Sequence, residues 1–159
     1  MNPADKLNAA LWEADRHAET FTEALAEWDS APAADWQSLE ADRGRVRLVD
    51  QLLFRFLKLQ DAVGERLVPA TLAALDEPFE EWAMRDRLNR LEKLGYLDVD
   101  KWLAWRETRN RLAHEYPDRP ELRFAALLAA IAAARALAAL YANWRARLAA
   151  EKLIEAGGR

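Results

Sequence analysis

The chain has 159 residues, 52% of them apolar and 31% charged, with a net charge of −4 and no cysteine. That balance fits one globular domain and argues against a disordered or membranous chain. The missing cysteine excludes disulfides, thiol nucleophiles and Cys-ligated zinc, and fits a reducing, cytoplasmic setting. The longest apolar stretch, Phe124 to Ala134, falls short of the ~18 residues of a spanning helix. The N-terminus lacks a basic-then-apolar signal pattern, so no membrane association is expected. Charge is unevenly spread: residues 1–42 carry two basic and ten acidic side chains, residues 82–123 ten basic and eight acidic. An acidic chain is a poor non-specific binder of nucleic acid, but its second half leaves room for a local basic site.

Asn2 and Pro3 read as N-cap and first helical residue. Leu7, Ala10, Leu11, Ala14, Ala18, Phe21, Leu25 and Trp28 then recur at three and four residues, marking an amphipathic helix that ends at Asp29-Ser30-Ala31-Pro32. His17 sits within it among charged neighbours and reads as a surface residue. A second, long helix is expected from about Ala34 to Leu67, with a kink or break at Arg43-Gly44-Arg45. Its apolar stripe from Val46 to Leu67 contains Gln60 and Asp61, which are boundary positions or residues that orient a site. Gly64 would allow a close helix approach.

Pro69 is expected to begin a short helix ending near Leu75, and Asp76 to cap another that carries Phe79, Trp82, Leu88, Leu91 and Leu94 inward and stops at Gly95. Asp98 caps a helix running from Val99 to about His114, which Pro117 and Pro120 end. An alanine-rich helix fills Pro120 to about Ala156. With no β pattern, repeat or Gly-rich phosphate loop, the expected fold is an all-α, up-and-down bundle of four to five main helices. It forms one domain over 1–156, with a disordered tail at 157–159. Seven tryptophans and an unusually apolar last helix point to a homodimer.

The densest chemistry lies in Arg109-Asn110-Arg111-Leu112-Ala113-His114-Glu115-Tyr116-Pro117. An arginine fork matches phosphate oxygens, and histidine exchanges protons near neutral pH. Together, without a metal, they suffice for attack of a ribose 2′-OH on the adjacent phosphate, which leaves a 2′,3′-cyclic phosphate. Five residues apart on a regular helix, Arg109 and His114 diverge by about 140°. The chemistry therefore needs a helix that breaks before Pro117, a second copy across a two-fold axis, or both. The plainer alternative is that cations in a last helical turn simply complement the helix dipole and that Tyr116 closes the core.

The form R-x4-H-x-Y of Arg109, His114 and Tyr116 resembles the HEPN superfamily, and more closely its HepT-like branch, the toxin half of HepT–MntA toxin–antitoxin systems (type VII-like). The polar Asn110 after the arginine and the small Ala113 before the histidine are similar to that branch. The likeness covers roughly residues 35–145, although only the motif is specific. It implies a homodimeric helical bundle acting as a metal-independent endoribonuclease without cofactor, with two motifs in a shared cleft. Arg109 and His114 would be catalytic. Asn110, Arg106, Arg111 and Arg119 would position RNA. Tyr116 would receive AMP from a cognate MntA-like nucleotidyltransferase antitoxin, placing negative charge where RNA must bind. Relatives of this bundle also serve as non-catalytic, substrate-binding subunits of nucleotidyltransferases, which is the alternative expectation.

Overall fold

A computed structural model describes residues 1–112 and 116–157. Among the described residues the chain forms seven α-helices and no strand. They are α1 (Pro3–Ser30), α2 (Trp36–Glu40), α3 (Arg43–Asp61), α4 (Val68–Ala74), α5 (Met84–Lys93), α6 (Val99–Leu112) and α7 (Pro120–Ala150), with a π-helical segment at Ala62–Leu67 joining α3 to α4. The all-helical class is as the periodicity predicts. Five of the helices have ten or more residues.

The start of α1 follows its caps: Asn2 Oδ1 accepts the Asp5 amide at 2.8 Å, and Pro3 occupies the first turn. Leu7, Ala10, Leu11, Ala14, Phe21, Ala24, Leu25 and Trp28 are buried, against α3, the π segment and α4. The second helix is not continuous from Ala34. It breaks at Ala41–Asp42, two residues before the glycine, because Asp42 leaves helical angles and its carboxylate caps the Arg45 amide at 3.2 Å. Downstream, α4 starts at Val68 with Pro69 in its first turn and is capped at Leu75, as expected, and it follows the π segment without a break in helical angles. A proline ring collides with the carbonyl four residues back and supplies no N–H. The π segment lies directly before it, and the Val68 amide bonds to Val63 five residues back, which relieves that conflict.

Two further boundaries differ from expectation. Asp76 does not cap a helix; it sits at φ +57° in a turn, and α5 begins only at Met84. Residues 77–83 are held instead by Arg87, whose Nε donates to the Trp82 carbonyl at 3.1 Å and whose Nη2 donates to that of Glu80 at 3.3 Å. The last helix ends at Ala150 rather than near Ala156. Gly95 does stop α5, at φ +87°, with Tyr96 N bonded back to the Leu91 carbonyl, and Asp98 caps α6 through the Lys101 amide.

Among the described residues, α7 is the one helix long and apolar enough to cross a membrane. Here it is a core helix that buries Leu127, Ala130, Ile131, Ala133, Ala134, Leu137, Tyr141, Trp144 and Leu148. It is pinned to α1 by a bidentate Arg145–Asp15 pair at 2.8 and 2.9 Å, by Tyr141 Oη donating to Asp15 at 2.5 Å, and by Arg135–Asp29. Burial, and then the Asp15 carboxylate, push the Tyr141 phenol far above its ordinary range. Trp144 Nε1 donates to the buried Thr71 hydroxyl at 3.0 Å. Four tryptophans (Trp28, Trp102, Trp105 and Trp144) fill this core within one chain, whereas Trp12 is 62% exposed. The tail residues Gly158 and Arg159 lie outside the described residues.

Candidate functional site

The motif lies on the last turns of α6 and the connection to α7. Trp102 and Trp105 anchor α6 inward. Two turns beyond Trp102, Arg109 reaches back to the end of α3, where its Nη1 donates to Asp61 Oδ1. Both side chains are about a third exposed, 32% and 31%. Asp61 thus orients the arginine, and it does so from the last residue of α3, where the π segment begins. Single-turn π distortions are frequent at functional sites.

Gln60, next to Asp61, is not a boundary residue: it is 2% exposed, and neither amide atom has a hydrogen-bond partner among the described residues. Nε1 of the fully buried Trp102 is likewise unpartnered. One turn beyond Gln60, Gly64 lies against that indole, and a Cβ there would come within 3.1 Å of Trp102 Cζ2. Each buried group left without a partner costs about 1–3 kcal/mol. The junction of α3, the π segment and α6 therefore holds unsatisfied polar groups beside a charged pair. The Arg109–Asp61 pairing, 48 residues apart in sequence, is what sequence reasoning missed; both residues stood out, but no local pattern joins them.

The described part of α6 runs to Leu112, and Tyr116, the next described residue, is outside the helix in the left-handed region at φ +46°. His114, the second catalytic candidate, lies outside the described residues, as do Ala113 and Glu115. The Tyr116 carbonyl accepts from the Arg119 amide at 3.0 Å and from Arg123 Nη1 at 3.4 Å. Arg123 in turn pairs with Glu40 of α2. The Tyr116 side chain, half-buried, lines a mainly apolar cavity of about 470 Å³ between α2, α3 and α7, with Leu112, Trp36, Val49, Leu53 and Phe124 among its walls. Arg109 is not part of that lining, so the structure places Arg109 and Tyr116 in different surroundings.

The other candidates are exposed. Arg106 and Asn110 face solvent. Arg111 pairs with Glu107 one turn back at 3.1 Å, and exposed pairs of this kind contribute little to stability. Arg119 occupies the N-cap position of α7 with no side-chain cap. A cation there opposes the helix dipole and favours an anion as a neighbour. Among the described residues no three His, Cys, Asp or Glu side chains cluster as metal ligands would.

Comparison with family models, curated proteins and solved structures finds no match to this chain.

Proposed function

We propose that this chain is a metal-independent endoribonuclease of the HEPN type, the toxin member of a HepT–MntA-like pair. The observation that carries this reading is Arg109 at the end of α6, oriented by Asp61 and still partly open to solvent, on a helix whose regular turns stop within the motif. An arginine fixed in this way loses little freedom when it binds phosphate. Among the described residues Asp61 bonds only its Nη1, and the rest of the fork is available for an oxyanion.

In the proposed reaction a ribose 2′-oxygen bonds to the adjacent phosphorus, and His114 takes or relays its proton. The 5′-oxygen leaves with a proton, and Arg109 stabilises the added charge. The products are a 2′,3′-cyclic phosphate and a 5′-hydroxyl. Asn110, Arg106, Arg111 and Arg119 position the strand, and a second copy completes the cleft. Addition of AMP to Tyr116 by a partner nucleotidyltransferase switches the site off by placing negative charge near it.

One observation favours the alternative, a non-catalytic subunit that presents substrate to a nucleotidyltransferase: the charge of Arg109 is already balanced by Asp61. Purified protein incubated with RNA, with and without EDTA, followed by end-group analysis separates the two. Cyclic-phosphate ends that persist in EDTA and vanish in Arg109→Ala and His114→Ala are expected. Cleavage abolished by EDTA would contradict the metal-free mechanism, and intact RNA throughout would leave the non-catalytic subunit.

A further inference from the structure

The end of α2, the first half of α3 and the start of α7 enclose the hollow of about 470 Å³ that Tyr116 lines. Small-molecule sites fall in the range of about 300–1,000 Å³, with mainly apolar walls and a few polar groups. Val46, Val49 and Leu53 recur at three and four residues, which turns one side of α3 toward the hollow. Trp36, Val46, Leu53, Leu112, Tyr116 and Phe124 all line it, and all are only partly buried. Half of them are aromatic. The core thus leaves apolar surface uncovered around one concave place, and a ligand that covers it removes that surface from water.

The charges around the hollow are few. Arg123 pairs with Glu40 and also donates to the Tyr116 carbonyl at 3.4 Å, so these two charges answer each other. The remaining charged residue of the lining is Asp50, which follows Val49 on α3. It is exposed and has no hydrogen bond or ion pair among the described residues. Arg47, one turn back, and Arg119, beside Pro120, do not line the hollow. Aromatic walls with one unanswered carboxylate at the rim favour an apolar cation over an anion.

We infer that this hollow binds a small aromatic molecule carrying a positive charge, its ring among Trp36, Tyr116 and Phe124 and its cation at Asp50. A nucleotide is the poorer occupant, because its phosphates would meet the one carboxylate that has no cation of its own. A second copy is poorer too, because two concave surfaces related by a two-fold axis cannot fill one another. The inference goes beyond the proposed activity and does not rest on it, since Arg109 is not part of the lining.

The test is a ligand-observed NMR titration with three probes that share one ring system: naphthylethylamine, naphthylethanol and naphthylacetate. For molecules of about a dozen heavy atoms the amine is expected to bind with a Kd on the order of 0.1–1 mM. It should bind about two- to fivefold tighter than the alcohol, with the acid weakest. Asp50→Asn should remove the lead of the amine and leave the alcohol unchanged. Because Asp50 is exposed, the melting temperature of that variant should not move. Leu53→Trp, and separately Val46→Phe, should fill the hollow and weaken all three probes on the order of tenfold or more. If a filled variant does not fold, the comparison of amine with alcohol in Asp50→Asn decides. The inference is overturned if no probe binds the wild type, if the acid binds as tightly as the amine, or if the amine keeps its lead in Asp50→Asn. Unchanged binding in folded Leu53→Trp and Val46→Phe overturns it as well. Sedimentation showing self-association that is lost when the hollow is filled would make a second copy the occupant and would also overturn it.

Discussion

Where α7 meets α1 and α4, polar groups that leave water find partners. Asp15 accepts from Tyr141 and from both arms of Arg145, and Trp144 meets Thr71. At the junction of α3 with α6 the opposite holds. Gln60 and Trp102 bury polar atoms that have no partners among the described residues, a π segment interrupts the helix, and Arg109 is held by Asp61 at the edge of solvent. The first region has the economy of a scaffold. The second retains unfavourable terms that packing alone would have removed, as sites selected for activity do.

Substitutions should separate the two regions. The largest effect belongs to Arg109→Ala, which is expected to reduce RNA cleavage by ~100-fold or more while the denaturant midpoint moves little, since the pair it breaks is a third exposed. A large loss of stability would instead assign Arg109 to the scaffold. Next, Trp144→Ala should destabilise by about 3–5 kcal/mol, measured by urea unfolding, because it opens the core and strips Thr71 of its donor. Gln60→Leu should act in the reverse direction, raising stability by about 1–2 kcal/mol because an unpaired buried amide is replaced by an apolar group of similar size. A loss of stability there would show that the amide has a partner in solution.

The smallest effect concerns pH. Burial first, and then Arg55, with Arg16 and Lys58 adding to it and Glu13 opposing, lower the His17 pKa below its ordinary 6.5. The unfolded chain then binds the proton more readily, so stability should fall as pH drops through 6.5 toward the lowered folded value, and His17 should contribute no slope above that range. His17→Gln should flatten that acid-side slope in unfolding measured at successive pH values.

Much of the scaffold was legible because its signals are local. Asn2-Pro3 and the spacing from Leu7 to Trp28 define α1, and Gly95 and Asp98 mark the α5–α6 turn, each within a few residues of what it determines. The start of α5 was not legible, because residues 77–83 are held by Arg87 from within the helix that follows. The π segment was hidden for a related reason: it answers to Pro69 downstream and to Trp102 from another helix. In the candidate site, residue types drew notice to Arg109, Tyr116, Gln60 and Asp61. The pairing of Arg109 with Asp61, and the separation of Arg109 from the cavity of Tyr116, exist only once α6 is packed.

The π segment also sets the phase of everything after it. Buried positions Val49, Leu52, Phe56, Leu59 and Val63 alternate at three and four residues. A regular helix would next turn position 66 inward. Instead Arg66 is exposed, where it pairs with Glu13, while Leu67 and Thr71 are fully buried. The rod thus contains one residue more than its inward face requires, and the wide turn stores it. Elsewhere in α3 or α4, losing a residue would swing the remainder of the rod by about 100°. Between Ala62 and Leu67 the same deletion would convert the wide turn to ordinary helix and leave Thr71 beneath Trp144.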